Sequence, residues 1–144
     1  QERLEREFKG LDPVIVTSDT AEKYDAFCAC SAAAVVSGTV ALEVALAGVP
    51  HVLFYKMSPL TWQIVRRMVK TKFAHLGNIL LERMAFPEFI QDDATPENIV
   101  DVLKIQLGSD SSHQMATGFR AEILDRMHYQ PSAKAEDQAA RFVL

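Results

Sequence analysis

Apolar positions along the chain alternate between short unbroken runs and helical stripes. Val14, Ile15 and Val16 form a β-branched run after Pro13, which predicts a buried strand over residues 13–17. Residues 32–36 (Ala-Ala-Ala-Val-Val) and 51–55 (His-Val-Leu-Phe-Tyr) predict two more. Helical signals separate them. Leu4, Phe8 and Leu11 mark a helix over residues 2–9 that Gly10 stops. Asp19 offers an N-cap with Glu22 in capping-box position, so residues 20–30 predict a helix with Tyr24, Phe27 and Cys28 on its apolar face. An apolar helix follows Ser37-Gly38-Thr39, and Gly48 and Pro50 close it. Strands that are apolar throughout and alternate with helices predict a parallel sheet covered on both faces.

The second half reads as helical. Ser58 caps and Pro59 opens a helix with Leu60, Ile64 and Met68 on one stripe, supported by Trp62, Val65 and Val69. Gln63, Arg66, Arg67 and Lys70 form its opposite face. Residues 73–93 read as irregular or weakly helical. Thr95-Pro96 starts a helix with Ile99, Val102, Leu103 and Leu107 inward, ended by Gly108. Met115, Phe119, Ile123 and Met127 stripe the next helix, and Ser132 caps a last one. The fold class is therefore α/β, a Rossmann-like parallel sheet followed by C-terminal helices. Residues 1–108 form the sheet-bearing part and residues 109–144 the helices that pack on or cross from it.

Composition narrows the classes. With 15 basic and 19 acidic residues the formal net charge is −4, which argues against general nucleic-acid binding. No apolar run reaches the ~18 residues of a membrane helix. The charged start lacks the apolar core of a signal peptide, lacks Met and begins within a helical pattern, so a fragment of a longer protein is expected. Cys28 and Cys30 lack the second ligand pair of a zinc site and are expected to be small buried thiols.

Candidate chemistry centres on the turn after the second run. There a strand ends, Ser37-Gly38-Thr39 turns, and an apolar helix begins. A helix start presents free N–H groups and positive dipole to phosphate. In open α/β sheets this edge is also where ligands bind. Glu43, the one charge in residues 40–47, lies one turn above Thr39, where it could accept both hydroxyls of a ribose. An ordinary cap followed by a Glu that reaches solvent or an Arg explains the same spacing equally well. The basic cluster around Arg66 and Arg67 is by composition a solvated helix face, or else a rim for anionic lipid. Asp92 and Asp93 before Thr95-Pro96 read mainly as a helix-start signal.

Several ordered motifs go further together. These are Ser37-Gly38-Thr39-x-x-Leu-Glu43, Gly48-x-Pro50, residues 55–61 (YKMSPLT), residues 78–81 (NILL) and residues 87–97 (PEFIQDDATPE). In this order they resemble the C-terminal part of the bacterial lipid-A-disaccharide synthase family. The resemblance is strong over residues 32–102 and looser on the flanks. It implies one half of an inverting, metal-independent glycosyltransferase with two Rossmann domains and no cofactor. Such an enzyme joins UDP-2,3-diacylglucosamine to 2,3-diacylglucosamine 1-phosphate and releases UDP, at the cytoplasmic face of the inner membrane. It implies donor contacts at Ser37, Gly38, Thr39, Glu43, Asn78, Glu88 and Gln91, and lipid or membrane contacts at Trp62, Arg66, Arg67 and Lys70. It places the acidic catalytic candidates in an N-terminal domain outside this sequence, so the fragment by itself is expected to be inactive. His75-Leu76-Gly77-Asn78 departs from the family pattern, with Gly77 where Pro is expected. A second copy of the chain is a further partner to consider. The alternatives are a UDP-N-acetylglucosamine 2-epimerase and a non-catalytic nucleotide-binding or dimerisation module. The resemblance also makes the runs at 14–17, 33–36 and 51–55 the third, fourth and fifth strands of a doubly wound sheet. Direct pairing of the first two of these runs is expected in a compact fragment.

Overall fold

The computed structural model describes residues 20–36, 38–68 and 71–128. The strand expected at 14–17, its pairing with 33–36, the Asp19 cap, the helices at 2–9 and from Ser132, and residues Ser37 and Lys70 lie outside the described residues. Helix α1 (Thr20–Ala29) leads into strand β1 (Ala33–Val36), helix α2 (Thr39–Leu46) and strand β2 (His51–Tyr55). Then come α3 (Pro59–Met68), α4 (Leu76–Leu81), strand β3 (Glu88–Ile90), a short 3-10 turn (Gln91–Asp93), α5 (Pro96–Leu107) and α6 (Asp110–Arg126).

The sheet is parallel throughout, in the order β1-β2-β3. Val35 pairs with Leu53, and Leu53 in turn with Glu88. The fold is thus α/β with a Rossmann-like parallel sheet followed by C-terminal helices. β2 is central, and its His51, Val52 and Leu53 are buried. One core cluster joins the sheet to α2 through Val35, Ala41, Val44, Val49 and Leu53. A second, of Ala45, Leu81, Phe86 and Ile123, binds α2 to α4 and α6. α6 therefore closes over the same body as the sheet, and α5 packs on β1 and β2.

Local caps follow the sequence signals. The Ser58 hydroxyl accepts from the Thr61 N–H at 3.2 Å. The Thr95 hydroxyl accepts from the Asn98 N–H at 3.2 Å, with Pro96 opening the helix. Gly48 takes φ 76° after α2, a left-handed conformation that costs glycine little.

Five expectations need correction. Residues 73–93 are ordered into α4, β3 and the 3-10 turn. β3 is only three residues long, too short for apolar periodicity to register. Leu60 and Ile64 are 73% and 53% exposed, so α3 turns Trp62 and Val65 inward instead. Leu107 and Met115 are exposed at the ends of their stripes, where α5 and α6 run past the core. Tyr24 is 42% exposed, which leaves Phe27 as the residue of α1 packed against the first core cluster. Cys28 and Cys30 are exposed free thiols and not buried ones, because Phe27 takes the inward position.

Candidate functional site

The turn after β1 sits at the carboxyl end of the sheet. Gly38 caps α2 at φ 142°, and among the described residues no side chain accepts a hydrogen bond from the helix start. A Cβ placed on Gly38 would meet nothing within 4 Å, so the turn opens to solvent. Gly38 and Thr39 are exposed. An uncapped, accessible start of an eight-residue helix leaves N–H donors and dipole available to an anion.

Glu43 lies one turn up α2 with 26% of its side chain exposed. Its Oε2 is 2.8 Å from the Lys23 ammonium of α1 and has no other polar partner among the described residues. The distance is that of a charge-assisted contact. The bond to Glu43 raises the Lys23 pKa, against partial desolvation. The carboxylate borders a hollow of about 290 Å³ between α1, α2 and α6, shared with Tyr24, Cys28 and Arg120. Lys23 was not singled out by the sequence. It stands inside a capping-box helix start, and its reach to Glu43 depends on how α1 packs against α2.

Asn78 and Glu88 meet at the start of β3 and Gln91 follows its carboxyl end, and each is engaged with backbone. Asn78 is wholly buried. Its Oδ1 accepts from the N–H groups of Ala85 and Phe86 at 2.9 and 2.8 Å. Its Nδ2 donates to the Phe86 carbonyl at 2.8 Å and to Glu88 at 3.2 Å. That uses the full capacity of a carboxamide. The Glu88 carboxylate accepts from the N–H of Ala74 at 3.1 Å and from that of His75 at 2.9 Å. Gln91 accepts from the Met57 N–H at 2.7 Å and donates to the Met57 carbonyl at 3.2 Å. Its backbone sits at φ 58°, a left-handed state uncommon for non-glycine residues. This bend ends β3 and turns the carboxamide toward the loop after β2. Gln91 thus fixes the loop after β2 at Met57, Glu88 the approach to α4 at Ala74 and His75, and Asn78 the turn at 85–86 before β3.

Beneath them lies a pair that sequence reading passed over. His51 opens β2 and His75 caps α4, and both rings are buried. The Gly77 N–H donates to His75 Nδ1 at 2.9 Å. The facing Nε2 atoms are 2.7 Å apart, and His51 Nδ1 is 2.7 Å from the Val49 carbonyl. Only one proton arrangement satisfies the chain: His51 donates from Nδ1 to Val49, and His75 donates from Nε2 to His51. Phe86 stacks on both rings at 4.5 and 4.7 Å. Burial pushes the His51 pKa down to about 4. Burial, and then the neighbouring His51, push His75 down to about 3. Both are neutral at physiological pH. The pair also accounts for Gly77. A Cβ there would lie 2.9 Å from the Phe86 ring and 3.0 Å from His75, and a proline would lose the N–H that His75 accepts.

On α3, Trp62 is half-buried while Arg66 and Arg67 are exposed. Trp62 and Arg66 border a pocket of about 410 Å³ between α3 and the carboxyl ends of β2 and β3. No helix among the described residues is long and apolar enough to cross a membrane.

Comparison with known proteins adds the family. A family model described as "Lipid-A-disaccharide synthetase" matches residues 4–143. A lipid-A-disaccharide synthase of Rhodospirillum centenum is 41% identical over 102 residues, 71% of this chain and 25% of that protein. That of Pseudomonas paraeruginosa is 35% identical over all 144 residues, 36% of its own length. That of Pseudomonas syringae pv. syringae is 37% identical over 142 residues, 99% of this chain and 35% of that protein. The chain thus spans between a quarter and just over a third of these relatives. It belongs to the lipid-A-disaccharide synthetase family.

Proposed function

We propose, from this family membership, that the chain is the donor-binding part of a glycosyltransferase of lipid A biosynthesis. The full-length protein would join UDP-2,3-diacylglucosamine to 2,3-diacylglucosamine 1-phosphate and release UDP. The observation that carries the reading is the open, uncapped start of α2 at Gly38 and Thr39, with the Glu43 carboxylate one turn above it. A diphosphate takes the N–H groups of the helix start, joined by the hydroxyls of Ser37 and Thr39. The ribose hydroxyls donate to Glu43 in place of Lys23. Asn78, Glu88 and Gln91 serve the donor through the loops they hold. Arg66, Arg67 and Lys70 meet the lipid substrate or the anionic inner leaflet, where each basic group is worth about 1 kcal/mol. The relatives named above carry the synthase name, which supports the transferase over the epimerase.

The test is made on the full-length protein with labelled UDP-diacylglucosamine and the lipid acceptor. Glu43→Ala is expected to weaken UDP binding by about 1–3 kcal/mol, the range for losing a charged acceptor. Unchanged UDP affinity in a folded Glu43→Ala protein would remove the ribose assignment. Absence of disaccharide from the wild type would remove the reaction.

A further inference from the structure

The pocket between α3 and the sheet has a chemistry of its own. Its volume of about 410 Å³ falls within the roughly 300–1,000 Å³ of ordinary small-molecule sites. Trp62, Val65, Phe73, Ile79 and Ile90 give it an apolar wall. The acid in that wall, Glu88, is occupied by the N–H groups of Ala74 and His75 and by Asn78. It is not free to hold a cation. Arg66 and Lys72 stand exposed at the mouth, and neither pairs with an acid among the described residues. An apolar cleft with unpaired cations at its mouth fits a hydrocarbon chain whose head is anionic.

Position points the same way. The pocket opens at the carboxyl ends of β2 and β3, and the Gly38 turn follows β1 on the same edge. Adjacent strands are about 4.8 Å apart, so the cleft begins one strand from the turn. We propose that this cleft binds one acyl chain of the lipid-linked sugar, with Arg66 and Lys72 facing its anionic part. The identity of the chain-bearing molecule rests on the donor reading above; the preference for an anionic amphiphile rests on the cleft alone.

The experiment titrates full-length protein with hexyl, octyl and decyl phosphate below their micelle concentrations, and separately with UDP. Each buried methylene is expected to tighten binding about fourfold until the cleft is full. Val65→Phe fills the cleft and should abolish that length dependence while leaving UDP affinity within twofold. Arg66→Glu, a change at an exposed position of the mouth, should remove the preference for decyl phosphate over decanol. It decides the matter if Val65→Phe does not fold. Length-independent binding, or the same length dependence in folded Val65→Phe, overturns the proposal even where UDP binds. Length dependence without UDP binding keeps the cleft and removes the donor reading. Anionic phosphatidylglycerol vesicles form the last arm. Vesicle binding indifferent to Val65→Phe supports a substrate chain, and a parallel loss makes the occupant a bilayer lipid and overturns the assignment to substrate.

Discussion

The helix start at Gly38 and the segment from His75 to Gln91 carry similar polar residue types and use them in opposite ways. At Gly38 the backbone donors have no side-chain cap among the described residues, and Glu43 has a single partner there, the partly exposed Lys23. From His75 to Gln91 the polar side chains are consumed: Asn78 makes four hydrogen bonds, Glu88 gathers two backbone N–H groups, and the histidine pair fills all four ring nitrogens. The first region keeps interactions for something outside the chain. The second spends them on holding its own loops. On the proposed function a motif residue in the first region is a contact, whereas one in the second holds the loops beside the cleft.

The most severe way to break this contrast is at Asn78. Asn78→Ala strands the buried N–H groups of Ala85 and Phe86 and the Phe86 carbonyl. Each buried orphan costs about 1–3 kcal/mol, so a loss on the order of 3 kcal/mol or more is expected in urea unfolding. UDP affinity per folded molecule should stay within threefold. A stable Asn78→Ala protein that no longer binds UDP would move Asn78 into the first class.

Acid should act on the second region before the first. The folded pKa values of His51 and His75, about 4 and about 3, lie below the ordinary 6.5. The unfolded chain therefore binds more protons between these values, and stability is full above about pH 6.5 and falls as pH drops toward 4 and below. The urea midpoint should be flat from pH 7 to 8 and decline through this window. His51→Phe keeps a flat ring on Phe86 but orphans the Val49 carbonyl, so it should be less stable at pH 7 and lose less on acidification. An identical acid slope in that variant would place the linkage elsewhere.

How much of this was legible differs between the same two regions. The Gly38 turn lies between two apolar runs, so strand, turn and helix could be read in order, and β2 and the α5 start fell where expected. Glu43 stood out as the lone charge on an apolar helix. The second region left little trace. β3 has three residues, α4 has six, and their order comes from side chains reaching across 7 to 34 positions in sequence. Lone histidines 24 residues apart carry no spacing signal, and their meeting depends on the start of α4 coming to the start of β2. α3 was found by its caps, but its apolar stripe pointed outward, because the sequence pattern identifies an amphipathic helix without fixing which edge of the stripe meets the sheet.

The smallest expected effect tests the first region alone. Lys23 is about one-third exposed, and its ion pair with Glu43 joins α1 to α2. Partly exposed pairs contribute little, so Lys23→Ala should lower the urea midpoint only slightly, although it leaves the Glu43 Oε2 without its partner. Its effect on UDP has two opposing parts. The ammonium occupies the carboxylate that the ribose is proposed to use, so removing it frees Glu43. It also puts a positive charge near an incoming diphosphate, and long-range attraction of this kind is screened over about 8–10 Å at ordinary salt. We expect the second part to prevail at low ionic strength, weakening UDP binding about two- to threefold, an effect as small as exposed charges usually give. At 0.5 M salt the difference should vanish. Tighter UDP binding by Lys23→Ala at every salt concentration would instead make the lysine a competitor of the ribose. The apparent openness of the helix start would then be partial, and the contrast between the two regions correspondingly weaker.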